Sequence, residues 1–215
     1  MRTQQIEFWS GDFGRVYTDR NTSDHEVWNN QYVEKYGVSR LNMNDEFLRD
    51  LPKNLRVLEV GCNTGQQLEA LRQQGFKKIA GIELQFYATK HARDRAIGIP
   101  VLQGSGFEIP FKTGSFDLVF TSGVLIHIAP DDLPAIMGEM HRCTSRFIWG
   151  FEYYADKMTE INYRGNTSVL WKSDHASMFM RSFPDLTLIK KKLYPYMNEK
   201  ENGNVDCMYM LKKPN

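Results

Sequence analysis

From Arg56 onward, short apolar runs alternate with segments whose apolar residues recur at helical spacing. Arg56–Cys62 (RVLEVGC) is a β-branched run. Thr64–Gly75 follows, with Leu68 and Leu71 on one face and Gly75 as a stop. Lys78–Leu84 reads as a second strand and Phe86–Ala96 as a second helix. Val101–Gly104 is a weaker third strand, Phe116–Gly123 a fourth and Arg146–Tyr154 a fifth. Between the last two, Pro130 and two acids suit the N-terminus of a helix reaching Cys143. Pro134 requires the helix proper to start near Leu133. Strands alternating with helices predict a parallel, doubly wound sheet.

The flanks read differently. Trp28–Gly37 has helical spacing at Trp28, Tyr32, Val33 and Tyr36, and Met43–Leu51 is a second short helix before Pro52. Ahead of them, Phe8–Asn21 (FWSGDFGRVYTDRN) scatters Phe8, Trp9, Phe13 and Tyr17 among Gly and polar residues, and reads as an irregular leader. After Tyr154 the alternation weakens, with one helix expected near His175–Phe183. Leu186–Tyr196 and Val205–Lys213 then read as strands joined by Met197–Asn204, a connection short enough to favour antiparallel pairing. The expected fold is α/β: a doubly wound, mostly parallel, seven-stranded Rossmann-like sheet ending in an antiparallel hairpin. One domain is expected, divided into 1–51, 52–154 and 155–215.

Composition narrows the function. A chain of 215 residues fits one domain with a real core. Lys and Arg total 27 against 26 Asp and Glu, a net +1 that supports neither a nucleic-acid footprint nor a polybasic membrane patch. No apolar run approaches the ~20 residues of a membrane span. The N-terminal residues lack the plan of a secretory signal. Cys62, Cys143 and Cys207 form no paired-cysteine or metal-ligand pattern, so no metal is expected and a reducing cytoplasmic setting is the simplest reading.

Val57–Gly65 (VLEVGCNTG) carries the most chemistry. A strand ends at a Gly-containing turn and a helix begins at once, which presents free backbone N–H groups to a ligand at the carboxyl end of the sheet. In the run Gly61-Cys62-Asn63-Thr64-Gly65 the second and third glycines of a dinucleotide fingerprint are missing. Glu59 also places a carboxylate two residues ahead of Gly61. That charge repels a pyrophosphate and attracts an α-ammonium. The loop therefore favours S-adenosylmethionine (SAM), which has an ammonium, a sulfonium and no phosphate, over NAD. Glu83, ending the second strand about 20 residues beyond the loop, is placed to take two ribose hydroxyls, with Leu84 beside it. Ser105, Gly106 and Phe107, after the third strand, are placed to meet an adenine, and Thr121 near the end of the fourth strand joins the expected cofactor contacts.

With these residues, Leu55–Tyr154 resembles the class I SAM-dependent methyltransferases through VLEVGCNTG, GIEL and QGSGFEIPFKTGSFDLVFTSGVLIHI. A narrower likeness spans nearly the whole chain. FWSGDFGRVYTDRN, FTSGVLIHI, and FEYY followed by NYRG resemble the small methylases associated with pseudaminic acid biosynthesis clusters. This implies methyl transfer to a small-molecule acceptor, with a sugar or sugar-nucleotide as one candidate. The family tends to carry a Lys-Arg-Asp-Phe-like string after its YRG segment; here the chain has WKSDHASMF, matching in part at Lys172 and Asp174.

The resemblance also implies that the N-terminal segment folds over the cofactor as a helical lid. Aromatic faces attract a sulfonium by about 0.5–2 kcal/mol, and Trp9 and Tyr17 are the expected wall. Arg20 or Arg40 is expected at the SAM carboxylate, and Gly11 and Gly14 are expected to let the strip bend. On the acceptor side, His127 is the candidate base or orienting group, and Tyr154, Tyr163 and Arg164 are candidate acceptor contacts. Two other readings stay open: a SAM-binding protein that does not catalyse, and an NAD-dependent oxidoreductase. A nucleic-acid methyltransferase is disfavoured, because TSGVLIHI stands where amino-directed DNA enzymes carry an Asn/Asp-Pro-Pro-aromatic string. Oligomeric state is not legible from these residues.

Overall fold

The computed structural model describes residues 3–197 and 203–214. Five strands form in the order the pattern predicts: β1 (Arg56–Val60), β2 (Lys78–Glu83), β3 (Val101–Gln103), β4 (Phe116–Ser122) and β5 (Thr144–Tyr153). Four of the residues in β1 are buried, as a strand covered on both faces requires. Helices α5 (Gln66–Gln73), α6 (Phe86–Arg95) and α7 (Leu133–Cys143) connect them; α7 starts at Leu133, which leaves Pro134 in its first turn.

Two short strands, β6 (Thr159–Glu160) and β7 (Trp171–Lys172), pair antiparallel beyond β5. Helix α8 (His175–Ser182) follows. The last strands, β8 (Thr187–Pro195) and β9 (Val205–Lys212), pair antiparallel with each other, and β9 pairs antiparallel with β5. Residues 198–202 of their predicted connection lie outside the described residues.

The seven-stranded sheet has the order β3-β2-β1-β4-β5-β9-β8, so the fold is the expected Rossmann-like one with an antiparallel end. Strand order reverses between β1 and β4, and such a switch opens a crevice at the carboxyl ends of the strands. Alternation sorts the core onto two faces. Val57, Leu118, Phe120 and Trp149 pack toward Met43 and Phe47 of α4 (Arg40–Leu48) and toward Leu68 and Leu71. Leu58, Val119, Ile148 and Tyr209 pack toward Ile136 and Met140 of α7 and Phe179 of α8.

The leader, irregular by its pattern, is helical, as the resemblance implies. It is two helices, α1 (Gln4–Ser10) and α2 (Asp12–Asp19), joined at Gly11. The Thr3 hydroxyl accepts from the Ile6 N–H at 3.2 Å and caps α1. Gly14 is not a hinge. It is buried in α2, and a Cβ there would stand 1.8 Å from the Trp9 carbonyl oxygen, so glycine is what lets the two helices cross closely. Helix α3 (His25–Tyr36) begins three residues before the predicted Trp28, because the Asp24 carboxylate accepts from the Glu26 N–H at 2.8 Å. Among the described residues no helix is long and apolar enough to cross a membrane.

Candidate functional site

At the carboxyl ends of β1, β2, β4 and β5 lies a cleft with three lobes. The first, about 870 Å³ including its mouth, is lined by Glu83, Leu84, Ser105, Gly106 and Phe107 below, and by Ile6, Trp9 and Tyr17 of the leader above. The second is lined by Glu59, Gly61, Cys62, Asn63, Gln66 and Trp28. The third is lined by Tyr32, Lys35, Tyr36, Tyr153, Tyr163 and Asp206. Tyr17 and Ser122 line all three, so the lobes converge between them.

Gly61 (φ +76°) turns the chain out of β1, and a Cβ there would come 2.7 Å from Val124, so only glycine keeps the turn and the cleft wall together. Asn63 also holds a left-handed conformation (φ 43°), one that asparagine tolerates. Glu83 faces the first lobe. Its two oxygens accept from the Asn63 N–H at 2.7 Å and from the Gln85 N–H at 2.8 Å. Burial pushes its pKa up, and these backbone bonds pull the other way. Glu59 is 3% exposed, and its Oε2 has no hydrogen-bond partner. Burial raises its pKa to about 8, opposed by the Arg40 guanidinium. A buried carboxyl with an open oxygen, lining the lobe beside Gly61, is the complement of an ammonium.

His127 lies on a single 3₁₀ turn, Leu125–His127, which periodicity does not reveal. Its Nδ1 stands 2.9 Å from the Val169 carbonyl oxygen; a carbonyl only accepts, so Nδ1 carries the proton and donates. Burial lowers its pKa to about 4, and the Val169 bond opposes that shift. The ring is neutral near pH 7, packs 4.3 Å from the Trp9 ring, and lines the first and third lobes. The turn itself hangs on Glu152, a buried carboxyl of β5 that accepts from the Val124 N–H at 3.3 Å and the Ile126 N–H at 3.4 Å.

Most of the predicted residues meet here; several do not. Arg20 is exposed, with its guanidinium 5.7 Å from the Tyr17 ring, outside the cleft. Arg40 is fully buried behind the wall. It lies 4.2 Å from the Phe151 ring and donates to Asn44 Oδ1 at 3.0 Å and Ser122 Oγ at 3.2 Å. Neither arginine lines a lobe; the Arg40 charge instead acts from behind the wall to lower the Glu59 pKa. Thr121 is buried inside β4, and its neighbour Ser122 lines the cleft. Gly65 (φ +77°) caps α5 behind the loop, close to Ala92. Tyr154 points away, donating to Asp156 Oδ1 at 2.6 Å, and strand alternation brings Tyr153 to the third lobe instead. Arg164 is exposed, 5.9 Å from the Tyr163 ring.

Trp28, Tyr32, Tyr36, Tyr153 and Asp206 also line the third lobe, and no motif in the sequence marks them. The helical spacing of the first three was visible, but it gave no sign that α3 would fold back over the end of β5.

The residues of this cleft fit SAM. Glu59 has an open, buried oxygen beside the glycine turn, suited to an ammonium, and Glu83 faces the first lobe. Comparison with known proteins points the same way. Residues 58–146 match the family described as a methyltransferase domain. An uncharacterized methyltransferase of Synechocystis is 33% identical over 128 residues, covering 54% of this chain and 60% of that protein. A tRNA U34 carboxymethyltransferase of Psychromonas ingrahamii is 35% identical over 77 residues, covering 33% of this chain and 23% of that protein. This chain thus spans less than two thirds of either relative. A SAM-dependent methyltransferase of Leishmania major superposes with a TM-score of 0.69 at 16% identity, covering 97% and 82% of the two chains, a likeness of fold. The matched residues 58–146 lie within the Rossmann-like sheet of order β3-β2-β1-β4-β5-β9-β8, so fold and sequence match point to the same class.

Proposed function

We propose that this chain is a SAM-dependent methyltransferase acting on a small molecule. The observation that carries the reading is the convergence of three lobes between Tyr17 and Ser122. One lobe is fitted to a nucleoside, one to an ammonium-bearing chain, and the third is left for an acceptor. SAM, when bound, supplies an electrophilic methyl group on a sulfonium.

Glu83 holds the ribose hydroxyls, Ser105 to Phe107 flank the adenine, and Glu59 holds the α-ammonium. Tyr17 and Trp9 face the sulfonium. In-line displacement needs donor and acceptor on one axis and water excluded. Helices α1 and α2 act as the lid that excludes it. Among the contacts that latch them to the core, Gln85 Nε2 donates to the Ser10 carbonyl at 2.8 Å, Thr18 Oγ1 to Asn63 Oδ1 at 3.2 Å, and the Tyr87 hydroxyl to Asp19 Oδ1 at 2.8 Å. His127 is a weak base and orients the acceptor, while its bond to Val169 fixes the β6–β7 insertion over the third lobe.

A sugar or sugar-nucleotide of surface polysaccharide biosynthesis, methylated on oxygen or nitrogen, is the acceptor we favour. The support is the resemblance of the leader, the FTSGVLIHI string and the NYRG segment to that methylase family, together with aromatic faces on which a sugar ring can lie. Incubation with methyl-labelled SAM against sugar-nucleotides and, separately, tRNA tests this by mass spectrometry. Label in a sugar-nucleotide is expected. Label in tRNA overturns the small-molecule reading, and tight SAM binding with no label anywhere favours a non-catalytic binding protein.

A further inference from the structure

Two consecutive carbonyls of the β6–β7 insertion tie it to two different elements. The Ser168 carbonyl accepts from Gln5 Nε2 of the lid helix α1 at 3.4 Å, and the Val169 carbonyl accepts from His127 Nδ1 at 2.9 Å. Gln5 and Val169 are both buried. Ser168 holds a left-handed conformation (φ 57°), which a serine rarely adopts. The Glu160 carboxylate keeps it there by accepting from its N–H at 2.5 Å. A strained residue held in place by its neighbours points to a constraint worth its cost. Lid and insertion also meet where the Phe13 ring of α2 packs 6.0 Å from the Tyr163 ring.

The bond to Val169 decides which nitrogen of His127 carries the proton. A neutral imidazole has one N–H, and the hydrogen bond made by one nitrogen fixes the state of the other. In water the ring prefers to carry its proton on Nε2. Here burial keeps the ring neutral near pH 7, and the Val169 carbonyl takes a proton on Nδ1. Nε2 is left with a lone pair, and no residue among those described is hydrogen-bonded to it. The ring lines the first and third lobes.

We propose that the lid sets the tautomer of His127 through the insertion, so that Nε2 stands in the cleft as a hydrogen-bond acceptor for the O–H or N–H group to be methylated. Gln5 and Ser168 are positioning residues in this device. With the lid displaced, the Ser168 carbonyl loses Gln5, the Val169 carbonyl moves off, and the imidazole returns to its Nε2–H form. It then offers a donor where a donor has to be received, so the acceptor molecule is oriented only under a closed lid. The use made of Nε2 rests on the methyltransferase reading; the tautomer itself does not.

Long-range proton–nitrogen spectra of the nitrogen-15-labelled full chain, saturated with S-adenosylhomocysteine, read the tautomer directly, because protonated and bare ring nitrogens resonate far apart. His127→Asn identifies the signal among the five histidines. The parent is expected to show Nδ1–H. Gln5→Leu, which removes the donor, is expected to move most of that signal to Nε2–H. Ser168→Val, disfavoured in a left-handed position, is expected to do the same, whereas Ser168→Gly keeps the parent's tautomer. A contact that merely stabilised the lid would lower stability in these variants without moving the tautomer. Nε2–H in the parent, or an unchanged Nδ1–H signal in Gln5→Leu, overturns the proposal. Failure of S-adenosylhomocysteine to bind overturns the methyltransferase reading instead, and the same comparison of parent and Gln5→Leu without it still decides the tautomer.

Discussion

At the scale of single residues the cleft is organised by carboxyls. Glu83 accepts two backbone N–H groups and faces the first lobe. Hydrogen bonds to a charged acceptor contribute about 1.5–3 kcal/mol each. Glu83→Ala is therefore expected to weaken SAM binding by about tenfold or more in a calorimetric titration, with the sheet still folded. An unchanged dissociation constant would remove Glu83 from the site. Glu152 and Glu59 make a second prediction. Burial raises their pKa values to about 7 and about 8 from an ordinary 4.5. Folding favours their protonated forms, so their contribution to stability is full below about pH 4.5 and is lost as pH rises through 7 and 8. His127 and His175 are both lowered to about 4 by burial, and their contribution is lost only as pH falls below 6.5 toward 4. Between pH 6.5 and 8 the carboxyls act alone, so the thermal midpoint of the ligand-free protein is expected to fall across that interval. Glu152→Gln is expected to flatten the slope; a variant with the parent's slope would contradict the assignment.

At the scale of elements, legibility followed the kind of signal each segment carries. Strands β1 to β5 announce themselves because a sheet buried on both faces needs continuous apolar runs, and Gly61 and Glu83 are legible because strand ends and turns fix their place. The leader's pattern is irregular because Gly11, Gly14 and the scattered aromatics contradict helix propensity; packing of α1 against α2 overrides it. Tyr153 and Tyr154 are a case of phase: adjacent tyrosines on one strand point to opposite sides, and sequence alone does not say which side is the cleft. Arg40 escaped for another reason. Its helix docks under Phe151, a long-range contact with no local signature. The lid yields a third prediction. Gly14→Ala places a methyl group against the Trp9 carbonyl, and should separate α1 from α2 while leaving the sheet intact. Weaker SAM binding and faster hydrogen exchange in residues 4–19 are expected, with little change at β1 and β4. Identical exchange in parent and variant would mean that the helix crossing does not depend on this contact.

At the scale of the molecule, the reversal of strand order between β1 and β4 opens the crevice, the leader roofs it, and α3 with the β6–β7 insertion walls the third lobe. The central claim is that this crevice is built for SAM rather than a pyrophosphate cofactor, because the open oxygen of Glu59 stands beside the glycine turn. Calorimetric titration of the full chain with SAM and with NAD, in parallel, tests it most directly. One SAM per chain with no NAD heat is the predicted result; saturable NAD binding with no SAM signal would contradict the account.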